Sequence, residues 1–202
     1  MGKAVVQLSD SALVEASLAD PDRFGEVFDR HVAEIRGYLH RRVGSREGDD
    51  LTSETFAAAF HVRDRYDLSR PDARPWLYGI AINVIRNHKR SERRQARAYA
   101  KVAPEVDVDP DLLEVHERLD AGSLRTQVYE ALASLRREDR ELILLQAWAD
   151  LSQGEVAEAT GLPIGTVKSR LSRSLEKVRN ALDLPFTADG GQAGADQGRR
   201  SN

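Results

Sequence analysis

The chain has 202 residues, 41% of them hydrophobic and 31% charged, with a formal net charge of −3 and no cysteine. That balance suits a soluble globular protein of one ordinary or two small domains; it excludes a disulfide framework, a thiolate metal site and a cysteine nucleophile. No stretch approaches the roughly 18 apolar residues of a membrane span, and MGKAVVQLSD carries one Lys and too short an apolar run for a secretory leader, so the expectation is a cytoplasmic protein without membrane insertion.

Strand signals are weak and nearly every apolar stretch has helical period, which predicts an all-α fold. Residues 1–19 read as an N-terminal extension. Asp20 before Pro21 is a cap and first-turn pair that opens a helix to about residue 42. Its stripe contains Phe24, Val27, Phe28, His31, Ile35, Tyr38 and Leu39, and Gly44 with Ser45 ends it. The five histidines, His31, His40, His61, His88 and His116, form no close-spaced pair, so they read as lone core or surface residues. A second helix over 49–62 sets Leu51, Thr55, Phe56, Ala59 and Phe60 on one side. Glu47, Asp49, Asp50 and Glu54 make an acidic edge at its start, where carboxylates suit the helix dipole. Nothing nearby completes a catalytic set, so this edge, with Leu51 and Phe56 expected at the surface, reads as a protein-docking face.

Residues 67–74, DLSRPDAR, form a loop of turn formers after Tyr66. A third helix from about 75 to 94 carries Trp76, Leu77, Ile80, Ala81, Val84 and Ile85, with Trp76 read as core. It continues into RNHKRSERRQAR, where Arg86, Lys89, Arg90, Arg93, Arg94 and Arg97 face a single acid, Glu92. That exceeds what helix capping needs and points to phosphate contact, while Asn83 and Asn87, one turn apart, can bond base edges. Cations along a backbone track beside a loop and aromatics suit single-stranded DNA.

Residues 98–123 read as an acidic linker with a short helix over 112–120. Helices over 123–135 and 138–149 lead to SQGEVAEATGLPIGTVKSRLSRSLEKVR, residues 152–179, a helix-turn-helix. Ser152 and Glu155 have capping-box spacing, and Gly161 falls where the first helix must stop. Val167, Leu171, Leu175 and Val178 form the apolar stripe of the second helix. Thr166, Lys168, Ser169, Arg170, Ser172 and Arg173 lie off it, able to meet bases and phosphates in a major groove. The tail after Pro185 is polar and reads as disordered. The small net charge is an average: residues 24–97 hold 15 Lys and Arg against 11 Asp and Glu, 98–123 hold 2 against 7, and 124–182 hold 9 against 8. Local field, not the total, governs affinity for phosphate.

Three segments in order resemble the extracytoplasmic-function (ECF) group of bacterial sigma-70 RNA polymerase sigma factors. GDDLTSETFAAAF (48–60) resembles the polymerase-binding helix, RPWLYGIAINVIRNHKRSERR (74–94) the helix that melts and reads the −10 element, and LPIGTVKSRLSRSLEKVR (162–179) the helix that reads the −35 element. The resemblance implies two helical domains, 20–97 and 124–184, a promoter-specificity subunit with no catalysis, cofactor or metal of its own, and an anti-sigma partner. It implies that Asp49, Asp50, Leu51, Glu54 and Phe56 meet the polymerase core and that the 67–74 loop with Asn83 takes a flipped −10 base. It further implies that Arg86, Asn87, Lys89, Arg90 and Arg93 hold nearby strand, and that the off-stripe residues from Thr166 to Arg173 hold the −35 duplex. Pro163 departs from the small polar cap of many members. The alternative, a stand-alone helix-turn-helix regulator of duplex DNA, leaves the acidic edge and the 86–97 cations without a role.

Overall fold

The structure, a computed structural model, describes residues 8–99 and 124–182; the expected acidic helix 112–120, most of the 98–123 linker and the 185–202 tail lie outside them. The described residues contain helices and turns but no strand. The first bundle comprises α1 (Asp10–Ala19), α2 (Phe24–Val43), α3 (Ser45–His61) and α4 (Arg74–Tyr99). The second comprises α5 (Leu124–Ala133), α6 (Arg137–Trp148), α7 (Gln153–Thr160) and α8 (Ile164–Ala181).

In the first bundle α2 and α3 form a hairpin across Gly44, whose φ of 84° is open to glycine and strained for other residues. Ile35, Leu39, Leu51 and Ala59 are buried between them, and α4 closes the layer with Leu77, Ala81 and Ile85. α1, expected as part of a loose extension, packs Leu13, Val14 and Ser17 into this core. Asp20, expected as a cap, makes no side-chain cap bond; it ends α1 and leads into a 3-10 turn, Pro21–Arg23.

In the second bundle the capping box is present: Glu155 N–H donates to Ser152 Oγ at 3.3 Å and Ser152 N–H to Glu155 Oε2 at 2.8 Å. Gly161 takes the left-handed conformation (φ 69°) that turns the chain into α8. Val167 and Leu171 are buried as expected, but Leu175 is 48% exposed. The buried position there is Ser174, and the packed face continues to Val178, which is partly buried against the core. Arg140 is buried, donating to the carbonyls of Leu132, Ala133 and Leu135 and so satisfying the C-terminal end of α5.

The two bundles pack against each other. α4 meets α7 at Gly79, where a Cβ would lie 2.6 Å from the Ala159 carbonyl oxygen. α2 meets α6 through a buried polar cluster: Arg42 Nη1 is 2.5 Å from Glu141 Oε1 and 2.7 Å from Tyr38 Oη, and Tyr38 donates to Glu141 at 2.8 Å. Burial pushes the Glu141 carboxyl up, but the Arg42 charge and hydrogen bonds outweigh it and hold the group below its usual range. Arg41 adds a bond to the Trp148 carbonyl at 2.5 Å.

Candidate nucleic-acid and polymerase interfaces

α4 carries apolar positions along one side and cations along the other, so burying the first aims the second outward. The result is a cavity of about 710 Å³ lined by Asn83, Arg86, Asn87, Lys89, Arg90, Arg93 and Arg94, with Arg137 and Glu138 from the start of α6. All six residues expected at the −10 strand thus meet at one concave surface. Asn83, Asn87 and Arg90 are exposed, Arg86 and Arg93 half-buried, and Lys89 is 5% exposed, reaching the cavity from beneath rather than from its rim. The Arg86 Nε is buried with no hydrogen-bond partner. Such a concentration of donors raises the local potential far above what a net −3 suggests.

The 67–74 loop lies at the other end of α4. Asn83 lies nine positions on from Arg74, about 13 Å along a helix axis. The loop is compact: Asp67 accepts from the Ser69 N–H at 3.1 Å and the Ser69 hydroxyl at 2.7 Å, and Tyr66 donates to the Arg70 carbonyl at 2.6 Å. The Tyr66 ring stands 4.9 Å from that of Trp76, so both aromatics close the base of the loop. Asp72 caps the entry to α4 by accepting from Arg74 N–H at 2.8 Å. α7 covers the outer side, with Glu158 paired to Arg70 and Glu155 3.5 Å from Arg74, which also bonds the Ala149 carbonyl.

On α8, Lys168, Ser169, Ser172 and Arg173 are exposed along one face, while Thr166 and Arg170 are half-buried. Arg170 lies 3.7 Å from Asp139. Arg173 Nε donates to the Ser169 carbonyl at 3.1 Å, holding its guanidinium along the helix. Pro163 supplies no side-chain cap, but its carbonyl accepts the Thr166 N–H at 2.8 Å and starts the helix from the backbone.

The acidic edge of α3 requires a correction. Asp49, Asp50 and Glu54 are exposed, but Leu51 and Phe56 are 2% and 5% exposed. Their spacing places them on the face that packs on α2, where the Phe56 ring meets Phe28 edge-on at 4.8 Å. They support the acidic surface from below and cannot touch a partner. Asp49 is itself engaged: the Arg36 hydrogen bond, then His40, hold its carboxyl at about 2.

Sequence reasoning missed Glu141 and Gly79. Each left a signal: a carboxylate inside the apolar run ELILL, and a glycine inside a strong helix, where it marks close backbone approach.

The Sigma-70 region 2 model matches residues 27–95 and the Sigma-70 region 4 model residues 125–178. The RNA polymerase sigma factor CarQ of Myxococcus xanthus is 32% identical over 174 residues, covering 80% of this chain and 90% of CarQ. The solved structure of CnrH in complex with the cytosolic domain of CnrY aligns with a TM-score of 0.59 at 29% identity, over 90% of this chain and 99% of that one. The sigma factor RpoE of Bartonella quintana, solved in complex with the anti-sigma factor NepR, shares the fold at a TM-score of 0.58 and 22% identity, over 82% of this chain and 99% of that one. With a region 2 helix lined by cations, a region 4 helix-turn-helix and these relatives, the chain belongs to the ECF group of the sigma-70 family of RNA polymerase sigma factors.

Proposed function

We propose that the α4 cavity is where this sigma factor holds the melted −10 strand, with Asn83 and Asn87 at base edges, Arg86, Arg90 and Arg93 on phosphates, and the buried Lys89 adding its charge from beneath. The observation that carries the reading is the gathering of these six side chains at one concave, cationic surface. The 67–74 loop takes the extruded base, and Thr166, Lys168, Ser169, Arg170, Ser172 and Arg173 hold the −35 duplex. Asp49, Asp50 and Glu54 form the polymerase-facing edge. The promoter domains are the first bundle, which takes in α1 and so begins near residue 10 rather than 20, and the second bundle, joined through 98–123; the protein works in the cytoplasm.

Promoter engagement separates the bundles. Sites named −10 and −35 lie about 25 base pairs apart, roughly 85 Å at 3.4 Å per step, whereas here α7 touches the 67–74 loop directly. The packed state is therefore a resting arrangement, and core polymerase, by docking both domains at a fixed spacing, lets two weak DNA contacts act together. An anti-sigma partner, as in the solved RpoE relative, suits the same exposed faces.

Reconstituted transcription with purified core polymerase tests the assignments. Arg173→Ala weakens promoters that depend on the −35 element, and Asn83→Ala impairs −10 selection, each by roughly the 1–3 kcal/mol typical of a lost base-pair contact. Wild-type output from both variants on the same promoter refutes them. A gel shift adds a second check: a stand-alone regulator binds duplex DNA unaided, whereas this protein requires core polymerase.

A further inference from the structure

The base-capturing role given above to the 67–74 loop raises the question of what fixes its shape once α7 has moved away. The first residue of α1 supplies the answer. Asp10 is 6% exposed. Its backbone N–H donates to the Pro71 carbonyl at 3.0 Å, and its Oδ2 accepts the Ala73 N–H at 3.0 Å, so one residue closes both sides of the turn leading into α4. The same carboxylate accepts from Arg30 Nη1 at 2.8 Å and meets His31 Nε2 at 2.6 Å.

His31 extends the chain. Its Nδ1 lies 2.9 Å from Glu34 Oε1, and the other oxygen of Glu34 takes Arg74 Nε at 2.9 Å. An imidazole between two carboxylates bonds both only when both nitrogens carry protons. Burial pulls the His31 pKa down, but Asp10 and Glu34 together lift it to about 9, so the cationic form with two N–H donors is the resident one. One relay, Asp10–His31–Glu34, therefore grips the loop at Ala73 and at Arg74.

We infer that Asp10 is a positioning residue for −10 base selection: through Ala73 and Pro71 directly, and through His31 and Glu34 to Arg74, the N-terminal helix sets the loop that receives the extruded base. Every member of this relay belongs to the first bundle, so it survives separation from the second. The contacts from α7 do not. The loop thus has an outer tether that is released on promoter binding and an inner one that is retained. A capture site needs its groups held within a fraction of an ångström, and a loop with one buried carboxylate anchoring two of its backbone groups meets that demand.

The experiment is promoter profiling with core polymerase and the full chain, comparing wild type with Asp10→Asn and with Glu34→Gln. Output is measured on promoters carrying each single-base change in the −10 and −35 elements. Asp10→Asn is expected to lower the ratio of preferred to non-preferred base at the extruded −10 position about tenfold, and Glu34→Gln to lower it less. The −35 ratios should stay within twofold of wild type. A purely structural role reduces the active fraction and scales every promoter alike, leaving all ratios unchanged; that result in both variants overturns the inference. Glu34 is partly exposed, so its variant keeps the test informative where Asp10→Asn folds poorly. Ser69→Ala and Asp72→Ala serve as loop controls. If they shift the −10 ratios while the relay variants do not, only the role of Asp10 falls; if they too leave the ratios fixed, the loop is not the capture site and both readings fall.

Discussion

Substituting Gly79 by alanine sets two effects of opposite sign against each other. Within α4 alone the change is favourable, since alanine in a helix interior is better than glycine by about 0.5–1 kcal/mol. Against the second bundle it is not. The new Cβ would lie 2.6 Å from the Ala159 carbonyl oxygen, 3.4 Å from its carbonyl carbon and 3.6 Å from its Cα. These are backbone atoms of α7, with no flexible side-chain end to swing aside, so relief comes from the bundles sliding or parting. Overpacking of this kind costs about 1–3 kcal/mol, a factor of roughly 5–150 in the equilibrium between packed and separated forms. The chain has no native cysteine, so dye pairs attached at Asp64→Cys and Glu176→Cys, exposed positions on opposite bundles, report separation without background. Gly79→Ala is expected to populate longer distances while the first bundle melts no lower than wild type, and Gly79→Leu to go further. An unchanged distance distribution in both variants would show that the α4–α7 approach does not limit packing, and the reasoning would fail.

Three other outcomes follow from the geometry. Glu141→Gln leaves the Arg42 charge in a buried site, a loss of about 3–5 kcal/mol if the packed state is kept; because separation returns Arg42 to water, the same dye pair should report opening before either bundle unfolds. Ser152→Ala removes one half of the capping box, about 1 kcal/mol, and should lower the melting of the second bundle by roughly 4–8 °C in calorimetry. The relay makes stability pH-dependent: His31, raised from 6.5 to about 9 in the fold, contributes fully below pH 6.5 and loses that contribution as pH climbs through 9. Urea titrations should therefore show stability falling by about 2 kcal/mol between pH 6.5 and 9, and His31→Gln should flatten that slope. Asp10, which burial raises but the His31 and Ala73 bonds bring to about 2, adds stability above pH 3.8 that disappears as pH falls through 2.

What could be read from the sequence was local. The Ser152–Glu155 spacing and Gly161 lie within one turn of the elements they define, and the structure places both in those roles. The α4 cations sit next to each other in the chain and stay together in space for the same reason. What was missed is non-local or depends on which face wins. Asp10 meets His31 and Ala73, 21 and 63 residues away, and no short-range pattern marks such a contact. α1 is short and rich in small residues, so its two anchors, Leu13 and Val14, hardly register as a stripe. The acids beside Leu51 and Phe56 suggest a surface position, yet periodicity puts both with Thr55 and Ala59 against α2. On α8 the packed face passes through Leu171, Ser174 and Val178 rather than Leu175, and spacings of 3 and 4 along a helix do not tell these two faces apart when the buried member is a serine.

The contact between the bundles is part apolar and part ionic. Apolar surface exposed on opening is penalised at about 25 cal/mol per Å², and the buried apolar cluster runs on from the first bundle into the second, so opening has to be driven by a binding partner. Beside that apolar part, the seam places Arg42 and Tyr38 on Glu141, Arg74 and Arg70 on Glu155 and Glu158, and backbone against glycine at its closest point. For a buried ion pair the attraction gained is nearly offset by the water lost, so such contacts fix orientation strongly while contributing little net free energy. The outer pairs are partly exposed and weaken further with salt. On the proposed function, those outer cations, Arg70 and Arg74, flank the loop that receives DNA, and the glutamates of α7 stand where phosphate would bind. Opening then exchanges one set of anions for another on the same guanidinium groups. On that proposal, the exchange lets a protein of net charge −3 keep the loop covered at rest and give it up when polymerase and DNA offer a better partner.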